Sequence, residues 1–172
     1  MAGHAPRTPT RPSAAPAGRF AVVAARFNEA ISKKLADGAV GVLERSGVAP
    51  GRIETHWVPG SFELPQAALA LARTGRYAGI VCVGVVIRGE TPHFEFVAGE
   101  AARGLSSVAL TTGVPVTFGV ITSLTEAQAW ERAGGVVGHR GEEAARAALE
   151  MAAWKRELRL RRPGRRTRRP SS

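Results

Sequence analysis

Apolar positions along the chain fall into two rhythms. Short runs with apolar residues on both faces alternate with longer stretches in which apolar residues recur every three or four positions. Residues 19–25, RFAVVAA, form a β-branched run closed by the polar RFN, and predict a strand ending near Arg26. From Asn28 the spacing Ile31, Leu35, Ala39, Val42, Leu43 predicts a helix capped by Asn28 and ended by Gly47. RIETHWV alternates Ile53, Thr55 and Trp57 against Glu54 and His56 and predicts a second strand; ELPQAALALAR follows as a helix that tolerates Pro65 only in its first turn.

AGIVCVGVVI is apolar on both faces, as a central parallel strand covered by helices on both sides must be. A third helix is expected from about Pro92 to Gly104, then SSVALTT as a fourth strand and VPVTFGVIT as a fifth. Thr125 and Gln128 form a capping-box pattern for TEAQAWERAGG, and GEEAARAALEMAAWKREL closes the pattern as a long helix. Alternating strands and helices predict a three-layer α/β/α sandwich with a mostly parallel sheet, whose ligands sit beyond the carboxyl ends of the strands.

Charge changes this picture only at one end. The formal net charge is +10, but residues 155–172, KRELRLRRPGRRTRRPSS, hold nine Lys or Arg and one Glu, so the first 154 residues are close to neutral at about +2. A nucleic-acid footprint spread over the fold is thereby excluded; a basic arm holding an anionic partner weakly is the role left to this tail, against the plainer reading of a solvated extension. The expected organisation is a Pro/Ala-rich leader at 1–18, one domain at 19–158 and a basic tail at 159–172. The single cysteine, Cys82, lies inside an apolar run and is expected to be a buried thiol in a reducing cytoplasm. No stretch has the length and apolarity of a membrane span or a signal peptide.

Three strand ends carry the candidate chemistry: RFNE, PGSFELP and IRGETPH. In the third, the amides of Gly89, Glu90 and Thr91 stand where a strand gives way to a helix, and unpaired amides with the helix dipole favour an anion such as phosphate. Pro92 pre-sets the first turn, which presents His93, a residue type that titrates near neutrality and suits proton transfer. Plainer readings stand beside these. RGET is also an ordinary loop with Thr91 as cap, His93 a surface histidine, Phe62 a core residue, Glu63 a first-turn carboxylate, and Arg132 and Arg140 solvated; Phe27 could stack on a planar ligand or cover the core.

Taken together, ARFNEAI, WVPGSFELP, GVVIRGETPHFEFV, VPVTFGVIT, QAWERAG and GHRGEEAARAALEM, in this order and spacing, resemble the lumazine synthases of riboflavin biosynthesis over about residues 19–154. The resemblance implies a flavodoxin-like sheet of strand order 2-1-3-4-5. It also implies the condensation of 5-amino-6-(D-ribitylamino)uracil with 3,4-dihydroxy-2-butanone 4-phosphate to 6,7-dimethyl-8-ribityllumazine, phosphate and water, without metal or redox cofactor. On the matching positions, Phe27 would stack on the pyrimidine, Ser61, Phe62 and Glu63 hold the ribityl chain, and the backbone at Val86 and Ile87 meet the ring. Gly89, Glu90, Thr91 and Arg132 would take the phosphate, His93 move protons, and Phe118 and Arg140 line the pocket, with Phe118, Arg132 and Arg140 coming from a neighbouring subunit.

The family assembles as pentamers, some members as sixty-subunit shells, and association with riboflavin synthase is a further partner it brings. Around GGVVGHRGEE the chain departs from the commoner family text, which has lysines and an Asn-Lys pair where Val136, His139 and Arg140 stand; an arginine fork is not a compact ammonium. A second class of function on the same scaffold is a flavin- or lumazine-binding carrier, or a shell whose basic tails gather anionic cargo. Retention of His93 and the phosphate residues favours the enzyme.

Overall fold

A computed structural model of the chain describes residues 17–160. Four parallel strands, β1 (Arg19–Ala25), β2 (Ile53–Val58), β3 (Tyr77–Ile87) and β4 (Val116–Ser123), form one sheet in the order β2-β1-β3-β4. Period-two alternation sorts the side chains between two cores. Phe20, Val22 and Ala24 of β1, with Val81, Val83 and Val85 of β3, face α1 (Glu29–Arg45) and α5 (Arg140–Leu160). Ala21 and Val23, with Ile80, Cys82 and Val86, face α2 (Leu64–Arg73) and α3 (His93–Thr112). The result is the three-layer α/β/α sandwich expected, and each fully buried Val, Leu or Ile in it contributes on the order of 1.5–3 kcal/mol. Burial drives the pKa of the Cys82 thiol well up, so this group is packing and not a nucleophile.

Two elements differ from the sequence-based expectation. SSVALTT is not a strand; it is the last part of α3, so the sheet has four strands and the segment VPVTFGVIT supplies β4. The apolar stripe Ala101, Leu105, Val108 keeps helical spacing through the segment, and Gly104 does not stop the helix because it serves packing. A Cβ at Gly104 would stand 2.6 Å from Pro65 Cγ, so the missing side chain lets α3 lie close against α2. The helix ends at Gly113, φ 67°, whose N–H donates to Ala109 O at 2.9 Å.

The second difference follows α4 (Glu126–Arg132), which has the expected cap: Gln128 N–H donates to Thr125 Oγ1 at 3.2 Å, and Leu124 N–H to Gln128 Oε1 at 2.9 Å. Instead of running on through the glycines, the chain turns into an antiparallel hairpin, β5 (Ala133–Gly135) and β6 (Gly138–His139), with Gly134 and Gly138 at φ of 109° and 124°. α5 extends to Leu160, so Arg159 and Leu160, assigned to the tail, complete this helix. The leader at 1–16 and the tail beyond Leu160 lie outside the described residues. No helix among the described residues is long and apolar enough to cross a membrane.

Candidate active site

The carboxyl ends of all four strands open on one rim. β1 and β2 stay joined past their last paired residues: Arg26 N–H donates to Val58 O at 2.8 Å and Phe27 N–H to Pro59 O at 3.1 Å. Asn28 then turns the chain in the left-handed region, φ 58° and ψ 48°. It stands at the helix entry as expected, but its side chain does not cap α1; Nδ2 points across to Val85 O of β3 at 3.5 Å, and the Ser32 hydroxyl donates to Phe27 O at 3.3 Å. This turn leaves the Phe27 ring 71% exposed.

A single 3-10 turn, Ser61–Glu63, follows β2 on the same rim. Ser61 is buried, with an Oγ that has no hydrogen-bond partner. Phe62 is 56% exposed and does not join the core, which sets aside the plainer reading. The Glu63 carboxylate folds back over Gly60, so close that a Cβ on the glycine would stand 3.2 Å from Oε2.

The end of β3 completes the rim. Val86 and Ile87 pair with Thr122 and Ser123 of β4, and Arg88 N–H extends the pairing to Ser123 O at 2.9 Å. The loop then rises to Pro92 and α3 begins on His93, whose side chain is exposed. A small cavity of about 120 Å³ is lined by Arg88, Glu90, Thr91, Pro92, Phe94 and Glu95. A Cβ at Gly89 would meet nothing within 4 Å, so the backbone there has open space in front of it. This loop, its amides at the entry of a long helix and the Arg88 guanidinium nearby, can receive an anion. Pro92, not Thr91, stands at the cap position of α3, and it offers no side-chain cap hydrogen bond. Arg88 and Phe94 were not singled out from the sequence. The first was legible as the basic residue next to the glycine; the second carries no local signal.

Phe118 and Arg140 belong elsewhere. Phe118 sits opposite Cys82 in the register, five residues before the end of β4, roughly 16 Å from the rim at the rise of a parallel strand. Among the described residues β4 is, with β2, one of the two edge strands of the sheet. With α5 it borders a groove of about 600 Å³ lined by Val116, Phe118, Arg140, Glu143 and Ala147 among others. Arg140 is paired with Glu143 one helical turn on. Arg132 ends α4 and donates to Gln128 O at 2.9 Å, with Glu131 at 3.8 Å, turned to its own helix.

His139, one of the departures noted in the sequence, has a defined place. Its ring packs onto Gly38 of α1 where no side chain could fit, and Glu142 N–H donates to its Nδ1 at 3.3 Å, capping α5. Val136 at the hairpin tip is 91% exposed.

Phe27, Ser61–Glu63, Val86–Thr91 and His93 thus share one rim, while Phe118 and Arg140 occupy the sheet edge. Residues 17–156 match the family model described as 6,7-dimethyl-8-ribityllumazine synthase. With that match spanning most of the chain and every element of the fold that carries the rim, the chain belongs to the 6,7-dimethyl-8-ribityllumazine synthase family, transferases of riboflavin biosynthesis.

Proposed function

We propose that the chain from residue 19 to the end of α5 at Leu160 forms a single catalytic domain that condenses 5-amino-6-(D-ribitylamino)uracil with 3,4-dihydroxy-2-butanone 4-phosphate, releasing 6,7-dimethyl-8-ribityllumazine, phosphate and water. The observation that carries this reading is the joining of an anion-ready loop, Arg88–Thr91, to a helix that begins on an exposed histidine, on the same rim as an exposed aromatic at Phe27. Phosphate binds the amides of Gly89, Glu90 and Thr91 with Arg132; the pyrimidine stacks on Phe27, its ring against the backbone of Val86 and Ile87 and its ribityl chain along Ser61, Phe62 and Glu63.

The chemistry asks for proton movement more than for strong electrophiles. The 5-amino group of the pyrimidine attacks the ketone, and the carbinolamine loses water once its oxygen is protonated. Elimination of phosphate then takes a proton from carbon, and ring closure of the ribityl-bearing nitrogen onto the remaining carbonyl takes one from nitrogen and ends in the loss of a second water. His93, beside both the phosphate loop and the amine, accepts and returns these protons in turn, and holding the two substrates together supplies much of the acceleration.

The sheet edge supports a composite site. Phe118 is 44% exposed and Arg140 lies beside it, far from the rim of their own subunit, so they serve the rim of the next subunit in a pentamer, together with Arg132. A second reading, a carrier with anionic cargo, draws on the nine Lys or Arg among residues 155–172. Turnover of the two substrates, followed by lumazine fluorescence for wild type and His93→Ala at matched assembly state, separates the two. Turnover that falls with the variant supports the enzyme and the histidine. An assembled wild type without turnover leaves the carrier.

A further inference from the structure

Gly84 lies in β3, three residues before its end, under the turn that carries Phe62 and Glu63. A Cβ at this position would stand 2.6 Å from Ser61 Oγ, 3.1 Å from Ala25 Cβ and 3.6 Å from Leu64 Cδ1. The glycine is not there for its backbone freedom, since it sits within a regular strand paired with Val120. It is there because three elements converge on it: the end of β1, the start of the 61–63 turn and the first residue of α2.

Ser61 is 4% exposed, and its hydroxyl is buried without a hydrogen-bond partner, directed at the Gly84 backbone. A serine that reached for substrate would have its hydroxyl facing the rim. Here the hydroxyl is the foot on which the turn rests, and Leu64, fully buried next in the chain, anchors the same turn from behind. The depth of that seat decides how far Phe62 and Glu63 stand above the sheet. Ala25 ties the seat to the Phe27 turn, which is itself bonded to Pro59 at the entrance of the 61–63 segment.

We infer that Gly84 is a positioning residue: by leaving room for Ser61 against the sheet, it sets the height of the Ser61–Glu63 turn and with it the fit of the pyrimidine's ribityl chain, without touching substrate. This rests on the function proposed above. The Ser61 side chain accordingly acts as packing, and the contribution of residue 61 to binding comes through its backbone.

Gly84→Ala tests the seat. The expected result is a KM for the pyrimidine raised about tenfold or more, with the KM for the butanone phosphate within about twofold, because the phosphate loop does not rest on Gly84. In a Ser61→Ala background, which removes the atom at 2.6 Å, the same change should cost less than about threefold. Hydrogen exchange of the 61–64 amides supplies a readout that does not need turnover: faster in Gly84→Ala, and brought back toward wild type when Ser61→Ala is added. If Gly84→Ala does not fold, Ser61→Thr presses on the same contact from the other side and should reproduce the selective pyrimidine effect. Equal rises in both KM values, or a Gly84→Ala penalty undiminished by Ser61→Ala, would overturn the inference. A wild type without turnover would instead sink the proposed function, and the exchange data would then decide the seat alone, with unchanged 61–64 protection rejecting it.

Discussion

The two ends of the sheet are built on opposite principles. At the amino ends of the strands, Glu54 gathers its surroundings: Arg19 at 2.9 Å, Arg76 at 3.1 Å and the Tyr77 hydroxyl all bond to its carboxylate, with His56 Nε2 at 3.6 Å. The Tyr77 hydrogen bond first, and the arginines with it, hold the Glu54 carboxyl below its usual range, while burial pushes the Tyr77 phenol up. At the carboxyl ends, Phe27 and Phe62 project, His93 is exposed, and the loop before it borders a small cavity. Groups bonded to one another hold a fold together; groups held in place but left without partners are free to meet a ligand. The contrast separates structure from function within one sheet.

If the contrast is sound, substitutions on the rim should cost activity and not stability, and those around Glu54 the reverse. The largest effect is expected at His93. His93→Ala should lower turnover by about a hundredfold or more while leaving thermal stability and assembly as in wild type, read by fluorescence turnover and sedimentation. An equal drop in melting temperature would break the comparison. Next comes Arg132→Ala, expected to raise the KM for the butanone phosphate by roughly tenfold with little change for the pyrimidine. A rise confined to the pyrimidine would move the phosphate site elsewhere.

Tyr77→Phe sharpens the other side. It removes the hydroxyl from Glu54 and should lower the melting temperature by roughly 2–6 °C while turnover per folded molecule stays unchanged. The same cluster predicts a pH dependence. Because the folded Glu54 pKa lies below the ordinary 4.5, the folded state binds this proton more weakly than the unfolded chain; the stabilisation is present above that value and is lost as pH falls through the folded one. Thermal melts in the acid range should therefore show a shallower decline for Glu54→Gln than for wild type. The smallest effect on catalysis belongs to the basic arm. Removing residues 161–172, beyond the end of α5, should leave turnover as it is but abolish any salt-sensitive retention of nucleic acid, measured by absorbance ratio at two ionic strengths during purification.

Much of this was legible in the residues. The run AGIVCVGVVI announced a strand buried on both faces, and β3 is one of the two interior strands, paired with β1 and β4. RFNE, PGSFELP and IRGETPH each announced a strand end, and those three ends meet on the rim. SSVALTT misled because its Thr, Ser and Val suit a strand locally, and Gly104 before it reads as a stop; the packing of that glycine on Pro65, 39 residues away in the chain, was invisible in a local window. Asn28 looked like a helix cap because its type and place fit one, yet its amide bonds to Val85 on another strand. The hairpin at 133–139 escaped because two-to-three-residue strands carry no periodicity to read.

The sequence by itself determined the layer architecture, the parallel strands and the type of residue offered at each strand end, because the periods of burial and the chemistry of side chains are written residue by residue. Only the tertiary structure decided that SSVALTT completes α3, that the Asn28 side chain reaches across to Val85, and that Gly84 seats the 61–63 turn. The physical reason is distance along the chain: strand neighbours and close-packed glycines are set by contacts between segments dozens of residues apart, and no local pattern records them.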